Sequence, residues 1–224
     1  MKIVAVSASM SVSSSSTALG ERVLRAVRKR AEESGTEAQV STVSLRDLAH
    51  DLVDMTLTGM PTPRLEEAFA EIQSADAVVA ITPVYNAAPV GIFTLFWQLF
   101  PEGGLQGKPV LLAATGGTAR HSLVLDSQVR PVIAYLKGIV LPTTVYAATE
   151  DWGAGGGAGS PNARAEAGAA ELMGLVCSIR TGVGGPDRAA AAPGTDAEVA
   201  EPHRRPDEFD PAQVTPFEQL LNMG

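Results

Sequence analysis

Cysteine is nearly absent from this chain of 224 residues: Cys177 stands alone, which excludes an internal disulfide and any cysteine-rich metal centre. It falls among Leu172, Met173, Leu175, Val176 and Ile179, the setting of a packed, unreactive thiol. No run approaches the roughly 20 apolar residues of a membrane span, and Met1-Lys2-Ile3-Val4-Ala5-Val6 lacks the apolar core of a secretory leader. A soluble, cytoplasmic protein with no membrane partner is expected. Positive charge is scarce as well. Lys and Arg number 17 against 25 Asp and Glu, a formal net charge of −8, and the Arg25 to Arg30 stretch reads as a solvated helix face. That balance argues against a nucleic-acid partner. Also missing are the G-x-G-x-x-G and G-x-x-x-x-G-K-[ST] nucleotide fingerprints and the G-x-S-x-G nucleophile elbow. No Ser/His/Asp or Cys/His arrangement stands out, and His50 and His203 lie in polar stretches without partner spacing.

What is present is a hydrophobic content of 45%, enough for one domain with a full core. Lys2 to Ala8 reads as a strand, followed by a serine-rich loop and an amphipathic helix from about Thr17 to Ser34 with Leu19, Val23, Val27 and Ala31 on one face. Gly35 stands at its C-terminal stop. Glu37 to Leu45 alternates like a strand, and Arg46 to Asp51 reads as a polar turn. Leu65, Ala68, Phe69 and Ile72 form a helical stripe that feeds a strand over Asp76 to Thr82. Pro89 suits the first position of the next helix, which carries Ile92, Phe93, Leu95, Phe96 and Leu99. Pro109 to Thr115 is a fourth strand, Ser122 to Lys137 a helix, Ile139 to Ala147 a fifth strand and Ala163 to Arg180 a last helix. Strands that alternate with helices through short connections require parallel crossovers and a sheet covered on both faces. The expected architecture is a doubly wound five-stranded parallel sheet of order 2-1-3-4-5, with its switch point between the first and third strands.

Ligands bind beyond the carboxyl ends of the strands in such a sheet, and three loops there carry chemistry. Thr82-Pro83-Val84-Tyr85-Asn86 combines a fixed φ, turn tolerance and an aromatic face with a polar tip. It suits a planar ring hydrogen-bonded at its edge, for which a flavin is the natural candidate. Ser9 to Thr17 offers hydroxyls beside a helix N-terminus, whose free N–H groups and partial positive charge favour one phosphate. Simple N-capping by Ser15, Ser16 or Thr17 is the alternative. The third loop is Gly116-Gly117-Thr118-Ala119-Arg120-His121-Ser122. Its glycines allow close backbone approach to a flat ligand. Arg120 and His121 are available to an anionic group, or serve as a surface charge and a capping residue.

Together these loops resemble those of the NAD(P)H-dependent FMN reductases of the flavodoxin-like superfamily. Gly117-Thr118-Ala119-Arg120-His121-Ser122-Leu123, Arg130-Pro131, Glu150-Asp151-Trp152-Gly153 and Thr215-Pro216-Phe217 are similar to signatures of the branch that supplies reduced flavin to luciferase-like monooxygenases. The resemblance implies that Ser9, Ser15, Ser16 and Thr17 bind the FMN phosphate. It also implies that Pro83, Val84, Tyr85 and Asn86 line the flavin and that Gly116 and Gly117, with Thr118, touch its ring. NAD(P)H is the implied reductant and a flavin-dependent monooxygenase the implied partner. Many relatives carry an arginine in the first loop, where Met10 to Ser16 has none. Hydride transfer between nicotinamide and flavin needs no catalytic acid or base, so no catalytic residue is assigned. A reductase of quinones or azo compounds with retained FMN remains an alternative, as does a flavodoxin-like electron carrier. An aromatic content of only 5% leaves few side chains for the ring sandwich a carrier favours.

The flavodoxin-like domain is expected over residues 1–181. Gly153 to Ser160 reads as a flexible loop. Residues 182–213 hold seven acids against three bases amid Gly, Ala and Pro, which predicts a disordered acidic linker. Val214, Phe217, Leu220 and Leu221 then predict a short docking segment over 214–224. Phe93, Phe96, Trp97 and Phe100, spaced i, i+3, i+4 and i+7, make one helix apolar nearly all round. An exposed patch there, and a homodimer or homotetramer through it, is expected.

Overall fold

Apolar β-rich runs assemble first into a parallel sheet. In the computed structural model, which describes residues 1–11, 13–152, 157 and 159–181, the strands are β1 (Lys2–Ser7), β2 (Gln39–Ser44), β3 (Ala77–Tyr85), β4 (Ala88–Pro89), β5 (Pro109–Gly116) and β6 (Ile139–Ala148). The path along the sheet is β2-β1-β3-β5-β6, and β4 pairs antiparallel with the end of β3. The expected order 2-1-3-4-5 differs only because the two-residue β4 takes a number of its own. The five parallel strands run as expected. The linker 182–213 and the segment 214–224 lie outside the described residues, as does most of the Gly153 to Ser160 loop. Among the described residues no helix is long and apolar enough to cross a membrane.

Residues alternate across the sheet with the period of two that a strand imposes. On one face Val4, Val6, Val78, Ala80, Val110 and Leu112 meet α2 (Ala49–Thr58), α3 (Pro63–Gln73), α4 (Gly91–Leu99) and α5 (Arg130–Tyr135). On the other, Ile3, Ala5, Val79, Ile81, Leu111 and Val145 meet α1 (Ser15–Glu33) and α6 (Pro161–Thr181). β1 lies between β2 and β3, so successive crossovers leave it in opposite directions and open a crevice above its carboxyl end.

Four local expectations are corrected. Arg46 to Asp51 is not simply a turn, because helix α2 begins at Ala49. Its inward stripe is short, with Asp51 and Leu52 its buried residues, and its N-cap Leu48 makes no side-chain cap. Neither a helical period nor a capping residue announces it in the sequence. Pro89 does not open a helix. Asn86 and Ala87 take positive φ of 49° and 61°, turning the chain back so that Pro89 pairs with Val84, and α4 starts at Gly91. The helix expected over Ser122 to Lys137 is broken into a 3-10 turn at Ala119–His121, a π turn at Leu125–Val129 and α5. Pro131 lacks the N–H that would continue an α ladder back to Ser127, and its ring crowds that carbonyl.

The fourth correction concerns the aromatic patch. Phe93, Phe96, Trp97 and Phe100 are 2%, 0%, 1% and 3% exposed, so they are core rather than surface. Phe69 joins them, with ring centroids 5.2 Å from Phe100 at 88° and 5.6 Å from Phe96. Near-perpendicular pairs of this kind satisfy the ring quadrupoles. Of the apolar residues of α4, Ile92, Leu95 and Leu99 stay half-buried.

Candidate functional site

The first loop is organised by its own hydroxyls. Ser14, not Ser15, Ser16 or Thr17, caps α1: its Oγ accepts from the Thr17 N–H at 3.1 Å. Thr17 Oγ1 in turn donates to the Ser11 carbonyl at 3.2 Å and closes the loop on itself. Ser7 Oγ accepts from the Ser9 N–H at 3.4 Å and donates to Ser9 Oγ at 3.1 Å. Ser16 is buried, and its Oγ pairs with Thr115 Oγ1 at 2.6 Å across to the end of β5. Ser15 Oγ reaches the same threonine at 3.4 Å. Among the described residues, the N–H groups of Ser15 and Ser16, ahead of the first intrahelical bond from Ala18 to Ser14, have no hydrogen-bond partner, which leaves them available to an anion.

These residues border a cleft of about 210 Å³ at the switch point. Of the residues singled out in the sequence, Ser15, Ser16, Pro83, Val84, Tyr85, Gly116 and Gly117 line it. Ser9, Thr17, Asn86, Thr118, Arg120 and His121 do not. Four further lining residues were missed: Met10, Ser14, Thr115 and Thr149. Thr115 precedes the glycine pair directly, so its place at the strand end was available as a signal. Nothing in the sequence around Thr149 sets it apart.

The second loop is a tight hairpin. Tyr85 is 54% exposed at the cleft edge, and the turn behind it is held by Gln128, whose Nε2 donates to the Ala87 carbonyl at 2.9 Å. Thr82, fully buried, accepts from the Val90 N–H at 3.3 Å. In the third loop Thr118 caps the 3-10 turn, which carries an exposed Arg120 and a half-buried His121. Arg120 has no ion pair among the described residues. Gly117 has nothing within 4 Å of where a Cβ would stand, so the floor of the cleft is flat there. Among the described residues no carboxylate lines the cleft.

Free first-turn N–H groups, neutral hydroxyls, a flat glycine floor and an aromatic edge fit a planar ring carrying one phosphate. Residues 1–153 match the family described as NADPH-dependent FMN reductase. The chain belongs to this family.

Among FMN reductases it is 38% identical over 110 residues to the Pseudomonas aeruginosa protein named FMN reductase (NADPH), covering 49% of this chain and 59% of that one. The chain thus spans less than two thirds of that relative's length. To the NADH-dependent FMN reductase SfnE of Pseudomonas putida it is 32% identical over 147 residues, 66% of this chain and 76% of the relative. Among solved structures, an oxidoreductase from Corynebacterium diphtheriae superposes with a TM-score of 0.75 at 37% identity, covering 79% of this chain and 97% of that one. The apo form of the NADH:FMN oxidoreductase EmoB gives 0.64 at 26% identity, with 79% and 89% covered. The flavodoxin-like fold is shared with these reductases.

Proposed function

We propose that this protein is a cytoplasmic NAD(P)H:FMN oxidoreductase that supplies reduced flavin to a flavin-dependent monooxygenase and works as a homodimer or homotetramer. The observation that carries the reading is the convergence of the serine loop, the Pro83-Val84-Tyr85 hairpin and Gly116-Gly117 on one cleft at the switch point of the sheet. Bound FMN supplies the hydride-accepting ring, so that NAD(P)H, FMN and a proton give NAD(P)⁺ and FMNH₂. The chain's own residues do the holding. The N–H groups of Ser15 and Ser16 and the Ser15 hydroxyl take the phosphate, and Gly117 leaves room for the ring. Tyr85 offers an exposed aromatic face beside the position a second planar substrate would approach. The first loop holds its anion without any arginine or lysine. That supports flavin as a substrate that leaves rather than a permanently held group.

The oligomer is supported by a groove of about 690 Å³ between the ends of α4 and α5, walled by Leu99, Pro131, Val132 and Tyr135. Tyr135 is 66% exposed at its rim. Light scattering should give a mass of at least twice 23.2 kDa; a monomer at micromolar concentration removes this part of the reading. For the activity, purified protein is mixed with NADH or NADPH at increasing FMN while nicotinamide absorbance is followed. Oxidation should rise with added FMN. Oxidation that needs a quinone and ignores added FMN would point to the retained-flavin alternative, and none with either nucleotide would exclude both.

A further inference from the structure

Both glycines of the third loop sit at the flavin cleft, yet they are glycines for different reasons. Neither takes a positive φ: among the described residues the glycines that do are Gly35, Gly59, Gly103 and Gly107. Conformational freedom therefore explains neither Gly116 nor Gly117. A Cβ on Gly117 would enter open space above the cleft floor, so only a ligand objects to it. A Cβ on Gly116 would run into the hydroxyl of Tyr146 and come within 3.1 Å of its Cζ, so there the protein itself objects.

Tyr146 lies on β6, in register with Ala114 of β5. Its ring belongs to the aromatic side of the core, and only 6% of the residue is exposed. Its hydroxyl passes beneath Gly116 and donates to the Thr118 carbonyl at 2.8 Å. Thr118 caps the 3-10 turn by accepting from the Arg120 N–H at 3.4 Å. One buried hydroxyl thus supports the loop at two points, sterically under Gly116 and by a hydrogen bond at Thr118. Burial, reinforced by the nearby carboxylates of Asp151 and Glu150, pushes the phenol above its usual value of 10.0, so it remains a donor across the neutral range.

We infer that Tyr146 is a positioning residue for flavin binding: its hydroxyl sets the height of the Gly116-Gly117 floor against which the planar ring lies. The inference rests on the flavin reading above. The sequence gives no hint of the role, because thirty residues separate Tyr146 from Gly116 and only the pairing of β5 with β6 brings them together. Without the hydroxyl, Thr118 loses its anchor and the floor moves relative to the ring. The substitution should therefore act on flavin affinity and ring environment more than on turnover.

Four variants test this: Tyr146→Phe, Gly117→Ala, Gly116→Ala and the double variant Gly116→Ala with Tyr146→Phe. FMN titration by fluorescence is the binding readout. Tyr146→Phe should weaken FMN binding and raise its KM about five- to tenfold, the scale of one lost hydrogen bond. It should leave kcat within about twofold and shift the visible spectrum of the bound flavin. Gly117→Ala should melt like the wild type yet bind FMN at least about tenfold more weakly, because its methyl takes ligand space alone. Gly116→Ala should lower the melting temperature in the absence of flavin, and adding Tyr146→Phe should restore part of the loss by removing the oxygen the methyl meets. That rescue is read without flavin, so it tests the brace even if the wild type proves not to bind FMN, a result that would end the flavin reading alone. An unrescued Gly116→Ala, or a Tyr146→Phe protein with wild-type KM and flavin spectrum, would overturn the inference.

Discussion

The two helical layers cover the same sheet by opposite means. The α2–α5 layer fills space with bulk: Phe69, Phe93, Phe96, Trp97 and Phe100 form one buried cluster. The α1/α6 layer comes close by omitting side chains. A Cβ on Gly20 would sit 2.9 Å from Ile81 Cδ1, and one on Gly168 would sit 2.9 Å from Leu111 Cδ1 and 3.1 Å from Val145 Cγ2. Closeness has a functional consequence. Gly20 follows Ser16 by about one helical turn, so the contact that lets α1 settle on the sheet also lets Ser16 bond Thr115 at 2.6 Å. The tightly seated helix is the one whose N-terminus borders the cleft.

The outer surfaces differ as well. Around α1 and α6 they carry charge, as in Lys29 with Glu33 at 4.0 Å and Glu166 at 3.9 Å, exposed pairs worth about 0–1 kcal/mol each. Arg22 is more engaged, 4.8 Å over the Trp152 ring and bonded to Asn162 Oδ1 at 2.6 Å. The α2–α5 side has ion pairs too, such as Arg64 with Asp51 at 3.0 Å, but it also exposes Val53, Leu57, Met60 and Tyr135. Exposed apolar groups of that kind give the proposed oligomer its candidate contact side.

The largest effect should come from the bulky layer. Trp97→Ala removes a fully buried ring and should cost about 3–5 kcal/mol in urea unfolding. The indole Nε1 has no hydrogen-bond partner among the described residues, so Trp97→Phe should cost less than about 1.5 kcal/mol. Equal losses for the two variants would break the view of this layer as bulk alone. The close layer should respond to addition rather than removal. Gly168→Val drives a branched side chain into Leu111 and Val145 and should destabilise by about 1–3 kcal/mol; wild-type stability would show that α6 can lift from the sheet freely.

The seam between α1 and β5 gives the next test. Thr115→Val leaves the Ser16 hydroxyl buried without its partner and should cost about 1–3 kcal/mol, with weaker FMN binding in titration. Ser14→Ala removes the cap of α1 and should cost about 1 kcal/mol. Ser15→Ala should leave unfolding almost unchanged and act on FMN affinity, by about 1–3 kcal/mol if it meets the phosphate directly. The smallest effect lies in alkali. Tyr146 has a folded pKa raised above 10.0, so its contribution is fully present below that value and lost as pH rises through the folded one. Urea midpoints should fall more steeply above about pH 10 for the wild type than for Tyr146→Phe.

Local chemistry made the repeating framework legible before any coordinates. Short apolar runs rich in β-branched residues, such as Ala77 to Ile81, read as strands buried on both faces, and helical stripes such as Leu65, Ala68, Phe69 and Ile72 read as one-sided helices, because burial follows the period of the backbone. The three strand-end loops were legible for the same reason: Pro83, Tyr85, Gly116 and the serines declare geometry or chemistry by residue type alone. What the chain order could not express was contact across distance. Whether Phe93, Phe96, Trp97 and Phe100 face solvent or core depends on α3 and the sheet closing around them. That Ser16 turns to Thr115 rather than outward, and that Arg120 and His121 stand off the cleft, depends on how α1 and the 3-10 turn seat on strand ends remote in sequence. The same holds for Gly116, whose glycine answers to a tyrosine on the neighbouring strand. Hydrogen bonds and steric exclusion act over a few ångströms, and only the folded sheet decides which residues come within that range.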